Sequence, residues 1–343
     1  MLTIDAFFRF SALSLAILLS VIVARDLFHS RQAKLLVATN VLIACFLLGA
    51  MPDPFQLPYA IRVPLRWLDT LLLPITWLFV LTLFKRDFFI RTWHLLGLTV
   101  LVGSMLAERL AWMEVIDRLP DWWALLVLGS SLLLVGHMLA ITLLGRKDDL
   151  IEVRRKYRLY LIALIALSMF LAILAGSLWF KEQQTTVNAI SVWIPAVAMS
   201  LWVLSGHSTA LTFYHDVKSK KVPNQAEKKL LSKLESLMLE DKIYLKDQLT
   251  IGRLSGLMGV AEHRLRKLIN NYTGYENFSS YVNNYRLQDV IRVMSDSEND
   301  HLPILTIALN HGFNSLPPFN RAFKKEVGMT PSEFRKNRRS FQN

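Results

Sequence analysis

The 343-residue chain contains one cysteine, Cys45. No intrachain disulfide can form, nothing in the fold depends on an oxidising compartment, and a lone cysteine inside an apolar run reads as a small apolar side chain. Charge is sparse too, at 19% of residues. There is no glycine-rich phosphate loop, nucleophile motif, chain of paired carboxylates or inverted repeat. These absences argue against a transporter or an intramembrane enzyme, and no enzymatic activity is expected. No closely spaced ligand motif suggests a metal or cofactor. His301, His311 and the cluster Asp296, Glu298, Asp300 give no metal site, and the acidic group reads as a solvated loop.

What the chain has in quantity is apolar surface: 53% hydrophobic residues, with nine Trp and nineteen Phe. A soluble domain of this length is not normally so apolar. The apolar residues crowd into the first 213 positions, in runs of sixteen to twenty-five separated by charge clusters, which is membrane composition. Seven spans are expected: 6–24, 33–50, 65–84, 92–107, 122–144, 159–180 and 189–213. The first lacks a leading positive charge and a small-residue cleavage site, so it reads as an uncleaved helix. Glu108-Arg109 make the fourth the shortest.

Loop charge orients these spans. One set of connections holds Arg25, Arg31, Lys34, Lys85, Arg86, Arg91, Arg146, Lys147, Arg154, Arg155, Lys156 and Arg158. The opposite set holds only Arg62, Arg66, Arg109, Arg118 and Lys181, with Asp53, Glu114, Asp117 and Asp121 among them. The basic side is expected to be cytoplasmic. Seven spans then leave the N-terminus outside and the C-terminus in the cytoplasm.

Polar residues within the spans are candidates for function, because each must find a partner or water. Asp69 lies one turn inside the third span, with Arg66 and Arg109 as candidate partners. Asp69, Arg66, Glu108 and Arg109 could line an outward-facing sensing pocket; structural pairing or snorkelling is the competing reading. His137 and His207, at similar depth, suggest inter-helix hydrogen bonds in preference to haem or metal ligation or pH sensing. Asn40, Ser168 and Ser205 read as helix-packing residues, and Pro74 and Pro195 as kinks. Trp67, Trp112, Trp122, Trp123, Trp179 and Trp193 cluster at outer helix ends as an interfacial belt expects.

After Phe213 the composition changes. Residues 214–240 begin with a basic, proline-broken linker suited to an anionic inner leaflet, then place Leu230, Leu231, Leu234, Leu237 and Met238 on one helical face. That helix is expected to pack on the following domain; pairing two subunits is the alternative.

The last hundred residues repeat a pattern. Leu254 and Leu257 accompany Ser255-x-x-x-Gly259, the first just before it and the second within it, then come Val260 and a helix carrying Leu265, Leu268 and Ile269. Ile304, Ile307 and Ala308-x-x-x-Gly312 follow, then Phe313 and a helix carrying Phe319, Ala322 and Phe323. A small residue lets two helices cross closely, and the glycine permits the tight turn of a helix-turn-helix. Between the units Phe278 to Met294 reads as a connecting helix, roughly 25 Å long at 1.5 Å per residue. Such a spacer can hold two recognition helices near the roughly 34 Å repeat of successive major grooves. Thr330-Pro331-Ser332-Glu333 reads as a capping box for a final helix.

These residues closely resemble the DNA-binding domain of the AraC/XylS family of bacterial transcription regulators. The most specific stretch is Ala308-Leu309-Asn310-His311-Gly312-Phe313-Asn314-Ser315-Leu316-Pro317-Pro318-Phe319-Asn320-Arg321-Ala322-Phe323-Lys324, continued by Gly328-Met329-Thr330-Pro331-Ser332-Glu333-Phe334-Arg335. Two departures stand out: Ala261 where a capping serine is common, and Pro317-Pro318 opening the second recognition helix, a position proline tolerates. The resemblance implies double-stranded DNA as partner. On the first recognition helix, 262–270, inward Leu265, Leu268 and Ile269 leave His263, Arg266 and Lys267 facing out, at positions that match DNA contacts of family members; on the second, inward Phe319, Ala322 and Phe323 leave Asn320, Arg321 and Lys324 exposed, and Asn314 joins them as a DNA-binding candidate. A formal charge of +7 after residue 215, of the chain's +12, suits a domain that approaches phosphate.

The expectation is therefore an all-α chain: a seven-transmembrane-helix domain at 1–213, a linker and amphipathic helix at 214–240, and a tandem helix-turn-helix DNA-binding domain at 241–340. Expected partners are DNA, membrane lipid, a second copy in a homodimer, RNA polymerase if the protein activates, and an unidentified small-molecule or protein signal. The alternatives are a membrane part that only anchors or docks a partner, or a transporter with an appended regulator.

Overall fold

The computed structural model describes residues 2–84, 90–176, 184–204, 222–246 and 249–342. His207, Ser205, Trp179, Lys181, Lys85, Arg86 and most of the basic linker lie outside the described residues. Among the described residues the fold is 80% helical and contains no strand. It divides into two units: residues 1–146 with 156–216, and residues 147–155 with 217–343.

The first unit is built from α1 (Leu2–Leu27), α2 (Arg31–Gly49), α3 (Tyr59–Leu68), α4 (Leu72–Phe84), α5 (Thr92–Trp112), α6 (Trp122–Leu144), the body of α7 (Glu152–Gly176) and α8 (Gln184–Leu204). Among the described residues five helices are long and apolar enough to cross a membrane: Leu2–Asp26, Arg31–Gly49, Tyr59–Phe84, Thr92–Trp112 and Trp122–Leu144. The ends of the expected sixth and seventh spans fall partly on undescribed residues. α1 packs between α2 and α8, and α4 between α2 and α6. Their shared core holds Leu19, Val23, Leu36, Trp77, Val80, Leu81, Val135 and Met138.

Two expectations about helix ends change. α5 continues through Glu108 and Arg109 to Trp112, because Arg109 finds Asp69 and need not end the helix. The third span begins at Tyr59, and its irregularity is a 3₁₀ turn, Asp69–Leu71, between α3 and α4. Pro74 has no N–H for the carbonyl of residue 70, so the distortion falls one turn before the proline. Packing residues behave as their chemistry suggests. Asn40 Nδ2 donates to Ser20 Oγ across α1 and α2 at 3.1 Å, and Trp77 Nε1 donates to His137 Nδ1 at 3.0 Å.

The second unit contains α9 (Gln225–Leu239), α10 (Ile251–Met258), α11 (Glu262–Thr273), α12 (Phe278–Ser295), α13 (Ile304–Asn310), α14 (Leu316–Val327) and α15 (Pro331–Gln342). A capping box between Asn224 and Glu227 starts α9, and its Leu234 and Met238 are buried in the same core as α10 and α11. Accepting the Asn224 backbone N–H holds the Glu227 carboxyl below its usual range.

α12 joins two cores. Phe278, Tyr281 and Val282 belong to the first, with Leu254, Leu265 and Ile269; Leu287, Val290 and Met294 belong to the second, with Ile307, Phe319 and Phe323. The buried face therefore rotates between residues 282 and 287, by about 140° at 100° per residue. The helix has 18 residues and spans roughly 27 Å.

Candidate nucleic-acid interface

The two turns are built alike. After α10, Gly259 lies at φ +69°, its N–H donates to Gly256 O, and Val260 N–H donates to Ser255 O at 3.0 Å. After α13, Gly312 lies at φ +80°, its N–H donates to Leu309 O, and Phe313 N–H donates to Ala308 O at 3.1 Å. Both are left-handed helix ends of the kind glycine allows, each followed by an apolar residue. Gly312 is required twice over. A Cβ there would lie 2.9 Å from the Tyr244 carbonyl oxygen and 2.9 Å from Arg286 Nε.

The second recognition helix, α14, starts with its prolines in the first turn, where no N–H is missed. Phe319 and Phe323 face inward in a run of packed rings: Phe313 to Phe319 at 5.1 Å and Phe323 to Phe334 at 5.6 Å edge-on, and Phe319 to Phe323 tilted at 5.6 Å. With those rings turned in, Asn320, Arg321 and Lys324 are exposed, as is Asn314 in the turn. The capping box closes the domain: Thr330 N–H donates to Glu333 Oε2 at 2.7 Å, holding the Glu333 carboxyl below its usual range.

The first recognition helix, α11, differs. Leu265, Leu268 and Ile269 turn inward, and His263 and Lys267 are exposed, as expected. Arg264, which the sequence reading left aside, shares the exposed side. Arg266 does not face out: it is 3% exposed. Its Nη1 donates to the carbonyls of Lys147 at 3.0 Å and Asp149 at 2.7 Å, while Nη2 meets Glu262 Oε2 at 3.2 Å. The periodicity of α11 carried no sign of this cover, because the covering residues lie more than a hundred positions upstream. Ala261 caps α11 without a side-chain hydrogen bond.

The middle of α12 is tied down by Asp289, which accepts the Tyr244 hydroxyl and pairs with Arg292 and, at 3.6 Å, Lys242. Burial and that carboxylate push the Tyr244 phenol up.

In the first unit, Asp69, Arg66 and Arg109 come together. Asp69 Oδ2 lies 2.6 Å from Arg66 Nη1 and Oδ1 3.1 Å from Arg109 Nη2, with the carboxylate side chain 2% exposed. Arg109 Nε also donates to Arg66 O at 3.1 Å. Glu108 is half-buried on the same helix and takes no part in those ion pairs. A second buried pair, Arg9 with Asp5 at 2.6 Å, lets Arg9 reach the carbonyls of Leu47 and Thr185.

Comparison with known proteins gives a helix-turn-helix match in the same region. A family described as "Helix-turn-helix domain" matches residues 254–337. "Probable transcription factor PqrA" of Proteus vulgaris is 28% identical over 99 residues, which are 29% of this chain and 78% of that protein. No solved structure matches the chain. The C-terminal part of the chain carries an AraC/XylS-type helix-turn-helix domain, that of a DNA-binding regulator.

Proposed function

We propose that this protein is a transcription regulator embedded in the bacterial inner membrane, which reads double-stranded DNA through α11 and α14 from the cytoplasmic side under the control of a signal received by α1–α8. The observation that carries the DNA half is the pair of equivalent turns, each positioning a helix whose apolar side is sealed into a core. Asn314, Asn320, Arg321 and Lys324 form the readiest contact surface. Arg321 is the candidate for a bidentate guanine contact, and Lys267 and Lys324 suit phosphate. His263 and, once uncovered, Arg266 would serve the other half-site.

Chain geometry supports the topology. Residues 148–150 hydrogen-bond to residues 276–279, so the loop after α6 and the C-terminal domain share one side of any membrane the helices cross. An even number of crossings must separate them. α7 and α8 supply two, for a total of seven, which agrees with the basic loops facing the cytoplasm and the N-terminus outside.

Asp69, Arg66, Glu108 and Arg109 are retained as sensing candidates. The carboxylate is matched by two guanidinium groups, so the site would respond to an anionic signal that competes with Asp69 for them. Membrane lipid, a homodimer and RNA polymerase belong to the same reading. The test is genome-wide DNA occupancy of the full-length protein in its native membrane, beside an Arg321→Ala/Lys324→Ala variant. Discrete sites lost in the variant are expected; diffuse occupancy identical in both would overturn the reading.

A further inference from the structure

The cover over Arg266 is a short acidic segment in an otherwise basic loop, Asp148-Asp149-Leu150, between α6 and α7. It belongs to the second unit and is held there by several contacts at once. Leu150 is 2% exposed, buried in the core of α10 and α11, and its N–H donates to Glu276 O at 2.9 Å. Asp148 sits at the start of α12: its carbonyl accepts the Phe278 N–H at 2.9 Å, and its Oδ1 accepts the Ser279 N–H and hydroxyl, both at 2.8 Å. A carboxylate is favoured there by the helix dipole.

The segment closes on the one group of α11 that the resemblance marks as a DNA contact and the fold fails to present. Arg266 gains two neutral carbonyl acceptors and a half-exposed Glu262, while its buried Nε has no acceptor among the described residues. Phosphate oxygens, being charged, are stronger acceptors for a guanidinium than backbone carbonyls, and guanine offers O6 and N7 together in bidentate geometry. The loop thus satisfies Arg266 enough to hold it, and less well than DNA would. The same guanidinium cannot meet both at once.

The helices on either side of the segment, α6 and the body of α7, belong to the first unit. Arg158, 3% exposed near the start of α7, donates to Ile141 O and Thr142 O at the end of α6 and to Phe84 O at the end of α4, each at 3.4 Å. A Cβ on Gly145 would lie 2.4 Å from Arg158 Nη1, so this glycine admits the clamp. A shift of α6 against α7 therefore displaces the segment between them.

We propose that residues 147–151 are an intramolecular inhibitor of DNA binding: they sequester Arg266 of the first recognition helix and release it when α6 and α7 move. The inference rests on reading α11 and α14 as the DNA-contacting helices. In the covered state α14 presents all of its candidate contacts and α11 presents His263 and Lys267 without Arg266, so the protein holds part of its DNA surface in reserve.

The test uses the full-length chain in lipid nanodiscs. The probe is a pool of random-sequence duplexes about 30 base pairs long, enough for two successive major-groove sites, with binding followed by fluorescence anisotropy. An Asp148→Ala/Leu150→Ala variant is expected to bind roughly tenfold more tightly than the parent, the factor by which cover reduces the competent fraction. Binding by both chains with equal affinity, or weaker binding by the variant, overturns the inhibitor and leaves the DNA reading intact. Binding by neither removes the DNA reading and the inhibitor together. Hydrogen exchange on the unmodified chain tests the point without a substitution. Added DNA should speed exchange at the Leu150 amide while slowing residues 262–270; a loop that keeps its protection with DNA bound would show the two to be compatible and sink the proposal.

Discussion

At the scale of single residues, Arg321 and Lys324 are neighbours on one face of α14 with different expected signatures. Arg321→Ala should lose about 1–3 kcal/mol of discrimination at one base position. Lys324→Ala should weaken binding to all sequences alike and lower the salt slope by about 1. Anisotropy across a salt series, on matched and mismatched duplexes, separates the two. Gly312 gives a second contrast. Gly312→Ala places a Cβ 2.9 Å from a backbone oxygen at φ +80°, whereas Gly328, at φ +82°, has open space around it. The cost should be about 1 kcal/mol for Gly328→Ala and roughly 3 kcal/mol for Gly312→Ala, where strain and clash add. Every tryptophan lies before residue 203, so intrinsic fluorescence is blind to this region and amide exchange in α13 and α14 is the measurement. The inward rings of α14 and its outward Asn320, Arg321 and Lys324 were legible from helical spacing alone. Arg266 was not. Its spacing put it on the free side of α11, and only a partner 117 or 119 residues away removes it from solvent. The available hint was the acidic, leucine-bearing Asp148-Asp149-Leu150 inside a loop whose other charges are basic.

At the scale of elements, start and stop signals carried most of what the sequence could reveal. α11 and α12 begin at the residues read from the sequence, 262 and 278, and α14 begins one residue before its Pro317-Pro318. Interior polar groups misled the reading in one direction only, by shortening helices: α5 at Glu108-Arg109, and the third span to a start at residue 65 in place of Tyr59. An arginine ends an apolar run on paper but not in a bundle where a carboxylate from α3 and its 3₁₀ extension receives it. α11 retains a correctable weakness. Ala261 has the extended backbone of an N-cap, at φ −66° and ψ 143°, but no oxygen for the first-turn N–H groups. Ala261→Ser should stabilise α11 by about 1 kcal/mol. Slower exchange confined to the amides of residues 262–264 is the expected result, and no change would mean that those donors are already satisfied.

At the scale of the whole molecule, the two recognition helices are unequal. α14 presents its basic face, and α11 holds one arginine under a loop whose ends belong to α6 and α7. If the membrane helices only confine the protein to the membrane, exchanging residues 1–204 for an unrelated single-span anchor should leave genomic occupancy as it was. If they regulate through the loop, the exchange deletes the cover together with the helices. Occupancy should then rise and become indifferent to growth conditions. The Asp148→Ala/Leu150→Ala chain separates loss of the cover from loss of the helices, because it keeps all of α1–α8. Raised, condition-independent occupancy in both chains would place the regulatory coupling in the nine residues between Lys147 and Arg155. Raised occupancy in the anchor exchange alone would move it elsewhere in the membrane unit, with the ion pairs around Asp69 the next place to cut.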